Sequence, residues 1–369
     1  MEAKRLFDLL SIKVADRPNV PFLASKVNKQ WKHYTFAQTA DEVNRASQLL
    51  LNLGLRKDDK IALIANNRPE WNFVDLGALQ LGVVDVPMYP TISEKDYEFI
   101  FNDAGIQYAF VGDEGIYQKV KPLLGRVQTL KGIYTFDKVE GATRYWDALP
   151  SLEQASKSAL QTAMDAVKED DLATIIYTSG TTGNPKGVML THKNIVSNIK
   201  SVKEVTPFTE GEKSLSFLPL CHSFERMVFY SYLSKGLHLH YAESLETIGE
   251  NLKEVKPYCF TTVPRLLEKV YEKIMEKGNA LTGFKRNLFF WSVDLGLQFE
   301  IGVNQGWWYN FKLGIARKLV FSKWQEALGG HVNFIVTGAA PMQPRLIKLF
   351  TAAGINVIEG YGLTETSPV

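Results

Sequence analysis

The chain has 369 residues, 45% of them hydrophobic and 22% charged, and its 42 basic and 40 acidic side chains leave a formal charge of +2. That length allows roughly two to three folding units with a large core. The near-balance of charge excludes a dedicated nucleic-acid binder, whose footprint is a marked basic excess. The two cysteines, Cys221 and Cys259, form no CxxC pair, so neither a zinc site nor a disulfide framework is expected, and a reducing compartment fits. The opening MEAKRLFDLL is charged within a short apolar pattern and lacks the apolar core and cleavage site of a signal peptide. No apolar run approaches the ~20 residues of a membrane span. The expectation is a cytoplasmic protein, with peripheral attachment to a membrane left open.

Along the chain, residues 60–66 (KIALIAN) read as a short buried strand. Residues 69–82 follow with helical spacing of Trp71, Val74, Ala78 and Leu81, and 83–87 is strand-like again. Further strands are expected at 108–111, 132–136, 173–177, 214–217, 258–263 and 333–337, and helices at 264–277 and 344–353. Strands alternating with helices imply an α/β chain of mostly parallel sheets. Residues 140–168, helical near 155–167, and the polar stretch 200–213 read as connections inside one body.

The stretch 284–324 is rich in rings: Phe289, Phe290, Trp291, Trp307, Trp308, Tyr309, Phe311 and Trp324. Lys285, Arg286, Lys312, Arg317 and Lys318 lie among them. Ordinary helix-packing faces are the expected use of these rings, because aromatics are common core material. A basic-aromatic surface at a lipid interface is the alternative.

Residues 177–187, YTSGTTGNPKG, follow the strand expected at 173–177, and 188–190 read as a returning strand. Gly180, Gly183 and Gly187 permit positive φ and close backbone approach to a ligand. Successive backbone N–H groups in such a turn form an anion nest. Thr178, Ser179, Thr181 and Thr182 add hydroxyl donors and Lys186 adds a full positive charge, the chemistry that holds a triphosphate. A Gly/Thr-rich hairpin turn without a ligand is the competing reading. The stretch is no Walker A loop, since no Gly-Lys-Ser/Thr ends it, and no GxGxxG follows a strand elsewhere.

YTSGTTGNPKG resembles the signature of the adenylate-forming enzymes, which include acyl-CoA synthetases, luciferases and peptide-synthetase adenylation domains. Three more segments resemble the same family. In EGYGLTE, residues 359–365, the resemblance assigns Glu359, Gly360, Tyr361 and Gly362 to nucleotide binding. Tyr361 would stack on adenine, Thr364 would touch the α-phosphate, and Glu365 with Thr181 would hold Mg²⁺, a hard cation that prefers oxygen ligands. In TGAAPM, residues 337–342, Gly338, Ala339 and Ala340 would lie beside adenine, with Gly338 and Gly360 also near the reacting carboxylate. In LPLCHSFER, residues 218–226, His222 would face that carboxylate. The absence of an aspartate between Pro219 and Arg226 disfavours an amino-acid substrate.

The segments 218–227 and 262–269, with 67–71 and 86–91, most resemble long-chain fatty acyl-CoA synthetases. What the resemblance implies is a domain of two helix-flanked β-sheet subdomains, roughly 56–200 in one and 1–55 plus 201–369 in the other. The implied reaction is Mg-ATP-dependent adenylation of a long-chain fatty acid, followed by thioester formation with coenzyme A. Lys186, His222, Thr364 and Glu365 would be the catalytic residues. Other adenylate formers, such as an aryl-CoA or fatty acyl-AMP ligase, and a non-catalytic ATP- or fatty-acid-binding module stay open, as does a homodimer. Family members continue past the position of Val369 with a ribose-binding aspartate, a hinge and a small lid domain carrying a lysine. The chain is therefore expected to be the N-terminal part of a longer enzyme, impaired or inactive by itself.

Overall fold

The computed structural model describes residues 2–154, 156–179 and 183–369. The chain forms two compact units, one of Met1–Gly211, Pro219–His238 and Leu363–Val369, the other of Glu212–Leu218 and Leu239–Gly362.

After an opening helix, Asp8–Asp16, the first unit forms a hairpin of β1 (Pro21–Val27) and β2 (Gln30–Thr35), antiparallel, with Val27 opposite Gln30. Asn28 and Lys29 both take left-handed φ values, 50° and 64°. That is the two-residue type I′ turn whose twist suits a hairpin. No Gly marks it, which is why the sequence pattern passes over it. Thr35 then caps the helix Phe36–Asn52: its hydroxyl accepts from the Gln38 N–H at 3.2 Å, and the Gln38 side chain accepts from the Thr35 N–H at 2.9 Å.

The main sheet of this unit has strands β3 (Lys60–Ile64), β4 (Val84–Pro87), β5 (Ile106–Val111), β6 (Gly132–Thr135), β7 (Thr143–Arg144), β8 (Leu172–Thr178) and β9 (Lys186–Thr191). Among the described residues their order is β7-β6-β5-β3-β4-β8-β9. All neighbours are parallel except β8 and β9. Helix Pro69–Gln80 joins β3 to β4, with proline at its first turn and almost every side chain buried. Gly77 lets helix 36–52 lie directly on it: a Cβ there would stand 2.9 Å from the Ala46 Cβ. The Ser47 hydroxyl donates to the Gly77 carbonyl at 3.0 Å. By compactness, residues 1–55 group with 56–211 in this unit.

The second unit is built on β10 (Lys213–Ser216); β11 (His238–Tyr241) carries the chain from one unit to the other, and β12 (Cys259–Thr262), β13 (Phe334–Thr337) and β14 (Asn356–Glu359) follow. Its strands run β14-β13-β12-β10, all parallel. Helices Pro264–Asn279, Gly283–Leu297, Trp307–Ala316 and Pro344–Ala352 connect them.

Each strand expected from the apolar runs is present within two residues of its expected limits. The stretch 200–213 is not all connection, because helix His192–Val205 runs into it. The segment 140–168 holds β7 and a helix at Lys157–Ala166. Packing of the rings in 284–324 is only half right. Phe289 and Trp324 are buried, whereas Phe284, Trp307, Trp308 and Phe311 are exposed. Helical periodicity says which residues share a face, and only the neighbouring helices decide which face is covered.

In the first unit, His192 opens helix 192–205 and is buried, its Nδ1 accepting from the Leu6 N–H at 3.2 Å. Burial pulls its pKa down from 6.5 to about 4. The unfolded chain therefore binds the extra proton between those two values, and stability falls as pH drops through that window. Relative to His192→Asn, which keeps an acceptor and does not titrate, the native chain should lose about 2 kcal/mol by pH 5 and about 3 kcal/mol by pH 4. Urea unfolding of both proteins across that range measures the difference, and identical pH profiles would exclude the role.

Candidate functional site

In the first unit, β8 runs straight into the glycine- and hydroxyl-rich loop and β9 returns from it. Thr178 pairs with Lys186 and Tyr177 with Gly187, so the two strands hold the loop at its base. Gly180, Thr181 and Thr182 lie outside the described residues. Of the rest, Thr178 is half-buried, and Ser179, Gly183 and Lys186 are exposed. Gly183 has φ +112°, which side-chain-bearing residues rarely adopt. At Gly187 a Cβ would meet the Ile175 Cγ2 at 2.7 Å and the Tyr177 ring at 3.1 Å. The loop therefore depends on glycine twice, once for conformation and once for space.

A cavity of about 310 Å³ opens beside Thr178, Ser179, Gly183 and Pro185, with Met88, Tyr89 and Cys221 on other sides. Burial pushes the Cys221 thiol up, so it is a neutral wall and no nucleophile. Leu220 is tied to the end of the β3 turn by its N–H, which donates to Asn67 Oδ1 at 3.0 Å.

His222 caps helix Ser223–Lys235 through Nδ1, which accepts from the Phe224 N–H at 3.2 Å. An accepting Nδ1 leaves the ring proton on Nε2, so the free edge of the imidazole is a donor. Burial lowers the His222 pKa, which keeps the ring neutral near pH 7. The next residue, Ser223, places its hydroxyl 3.0 Å from the hydroxyl of Thr364. Thr364–Thr366 form a single 3₁₀ turn lying close to β9, and Glu365 there is exposed. The first unit thus brings Thr178, Ser179, Gly183 and Lys186 into one body with His222, Thr364 and Glu365. Ser223 was missed in sequence, since a serine at a helix start reads only as a capping residue.

One turn beyond His222, Arg226 is 1% exposed. Its Nη2 donates to Asp75 and lies 3.1 Å from Asp85 Oδ2. Its Nη1 donates to Thr174 Oγ1 at 2.6 Å, and that hydroxyl donates to the Asp85 carbonyl at 2.8 Å. Tyr230 donates to the other oxygen of Asp75. Burial alone would lower the Arg226 pKa, but Asp75, Tyr230 and Asp85 outweigh it and raise it. Burial, and then the charge of Asp75, push the Asp85 carboxyl well above the usual carboxylate range against the opposing pull of Arg226. The two carboxyls are anchored unequally: Asp75 accepts from both Arg226 and Tyr230, whereas Asp85 meets Arg226 through a single 3.1 Å ion pair. The network fastens β8, four residues before Thr178, to the helix that His222 caps. A lone arginine within the apolar run 220–233 was the sequence signal for it.

In the second unit, Thr262, Thr337 and Glu359 stand level on β12, β13 and β14. Two loops leave the carboxyl ends of adjacent parallel strands there, the general position for ligand binding in such sheets. The Gly360 N–H donates to the Thr337 carbonyl at 2.8 Å and the Gly338 N–H to the Thr262 carbonyl at 3.3 Å. Glu359 accepts from the Met342 N–H at 2.8 Å, so its carboxylate ties the 338–342 loop to β14. Gly338 is buried, Ala339 and Ala340 are exposed, and Ala339 is held at φ +65°. Gly362 is half-buried, and Tyr361 is 84% exposed, its ring presented to solvent.

The family described as AMP-binding enzyme matches residues 10–369. The chain belongs to that family. It is 30% identical over 361 residues to the long-chain-fatty-acid–CoA ligase FadD15 of Mycobacterium bovis, covering 95% of this chain and 59% of the relative. It is 33% identical over 389 residues to long-chain-fatty-acid–CoA ligase 5 of Mus musculus, covering 99% and 55%. The chain thus spans somewhat over half the length of these curated relatives. Its fold is similar to that of the N-terminal domain of FACL13 from Mycobacterium tuberculosis, with a TM-score of 0.67, 20% identity, and coverage of 99% of this chain and 77% of that one. The adenylate-forming resemblance and the α/β fold of two parallel-rich sheets both stand. Among the described residues, no helix is long and apolar enough to cross a membrane.

The unequal anchoring of the two aspartates around Arg226 has a measurable consequence. Asp75→Asn removes the charge that Arg226 requires and should destabilise the protein by about 3–5 kcal/mol. Asp85→Asn removes a single 3.1 Å ion pair from a carboxyl whose pKa burial already raises, and should cost less than half as much. Urea unfolding of the two variants compares them, and equal losses would contradict the assignment.

Proposed function

We propose that the chain is the adenylating portion of a long-chain fatty acid–CoA ligase. The observation that carries this reading is the β8–β9 loop, anchored at both ends within one body that also holds His222 and Thr364. The sequence identity to two long-chain-fatty-acid–CoA ligases supports the substrate class. Mg-ATP is the nucleotide substrate, and coenzyme A is the acceptor used by the whole protein.

In this reading a carboxylate oxygen of the fatty acid attacks the α-phosphorus, and the bond from that phosphorus to the bridging oxygen of pyrophosphate breaks. The backbone N–H groups and hydroxyls of the loop, with Thr178, Ser179 and Lys186, hold the departing phosphates. Fixed donors and a positive charge placed where negative charge develops lower the barrier without reorganising at the moment of reaction. Thr181 and Glu365 are proposed to hold the Mg²⁺ that accompanies ATP; Glu365 supplies a solvent-facing carboxylate oxygen of the kind such an ion takes.

Thr364, its hydroxyl steadied by Ser223, serves the α-phosphate. The neutral His222 offers its Nε2–H to an oxygen of the fatty-acid carboxylate and orients it. A charged imidazole would instead pair with the carboxylate and blunt its nucleophilicity. Tyr361 supplies a flat face for adenine, and Gly338, Ala339, Ala340, Gly360 and Gly362 leave room beside it. Glu359 acts through the 338–342 loop that it anchors. In the second step the coenzyme A thiolate attacks the acyl carbon and AMP departs.

Replacing Lys186 by alanine should weaken Mg-ATP binding by about ten-fold or more, the scale of losing one charge-assisted contact, while leaving long-chain fatty-acid affinity unchanged. Equilibrium dialysis of each ligand against this chain measures both. Unchanged ATP affinity would remove Lys186 from the phosphate site.

A further inference from the structure

Helix Trp307–Ala316 in the second unit is apolar on two sides. Leu313 and Ala316 are buried, and the Tyr309 hydroxyl donates to the Leu295 carbonyl at 2.8 Å, so this side faces the body of the unit. The other side carries Trp307 at 78% exposure, Trp308 at 54% and Phe311 at 56%, with Ile315 and, past the helix end, Leu319 in the same row. A surface helix ordinarily turns polar residues outward. Here the Trp308 and Phe311 rings stack at 5.8 Å, making a flat aromatic ledge in the open.

The charge along the ledge's own segment has one sign. No carboxylate occurs from Ile301 to Gln325, and Glu300 just before it is paired with Lys348 at 2.7 Å. Lys312 holds its ammonium 5.7 Å from the Trp308 ring, and Lys318 is exposed. Arg317, also exposed, is tied back by its Nε, which donates to the Ala352 carbonyl at 2.8 Å. A two-fold contact with a second copy would set the same lysines against each other, because such an interface uses one patch on both subunits. An anionic surface has no such conflict.

We propose that this face docks on a lipid bilayer bearing anionic headgroups. Trp307, Trp308 and Phe311 enter the interfacial layer, where amphipathic rings are favoured. Lys312 and Lys318 meet the headgroup phosphates.

Co-sedimentation of the chain with phosphatidylcholine vesicles, with and without phosphatidylglycerol, tests it. The parent should bind the anionic vesicles about ten-fold or more tightly than the neutral ones, the scale expected from two lysines near the surface. Trp307→Ser/Trp308→Ser/Phe311→Ser should abolish binding to both, and Lys312→Glu/Lys318→Glu should remove only the preference for the anionic ones. A second readout leaves aromatic bulk in place. Quenching of tryptophan fluorescence by brominated phosphatidylcholine should be strong in the parent and weakened in Trp307→Phe/Trp308→Phe. No sedimentation of the parent with either vesicle, unchanged binding by the triple variant, or no quenching would overturn the proposal. So would a concentration-dependent dimer in ultracentrifugation that the triple variant abolishes while vesicles are ignored.

Discussion

A buried guanidinium needs carboxylate partners close at hand, and Arg226 is the point on which the first unit turns. Its donors reach helix 69–80 through Asp75 and β8 through Thr174, and Asp85 of β4 lies beside it. Taking these charges out of water costs several kcal/mol per ion, so the arrangement holds only when every partner is in place. Well-packed apolar residues of similar volume can serve stability as well. What the charged version adds is discrimination, because a shift of any of these elements strands a charge. Two acidic groups face one base there; Asp75 also holds Tyr230, and burial raises the pKa of Asp85.

This constraint bears on the chemistry through geometry. Arg226 lies one turn from His222, and Thr174 lies four residues before Thr178. The helix that His222 caps and the strand that leads into the glycine- and hydroxyl-rich loop are thereby clamped together in a dry interior. Rigid support of this kind is what fixed donors require, since a site loosened by even 1 Å loses much of its effect. The described loop residues Ser179, Gly183 and Lys186 are exposed, as the proposed triphosphate role requires. The second unit solves a similar problem with backbone hydrogen bonds. Its two loops spring from level positions on β13 and β14 and are pinned by Gly360 to Thr337 and by Glu359 to Met342.

Much of the fold was legible because apolar strands in parallel sheets announce themselves as short continuous runs. Segments such as 60–64 and 334–337 stand out for that reason. The β1–β2 hairpin did not, since its turn uses Asn28 and Lys29 where a glycine would have been the cue. Helix 36–52 had its capping box written at Thr35 and Gln38, a signal available to sequence reading and passed over. The aromatic stretch 284–324 could not be resolved from composition, because a ring that packs inward and one that faces water have the same spacing along a helix.

The sequence by itself determined the glycine- and hydroxyl-rich loop, the small-residue loops and the family. Each of these depends on chemistry within a few consecutive residues: glycine conformations, neighbouring hydroxyls, and a lysine at a set distance. Tertiary structure alone decided the partners of Arg226, which lie 52 and 151 residues away along the chain at Thr174 and Asp75. It decided as well that Ser223 meets Thr364, 141 residues on, and that Trp307, Trp308 and Phe311 face outward. Local motifs are carried by the backbone they are written on. Pairings across such separations exist only once the strands have chosen their order and the helices have settled which of their faces to bury.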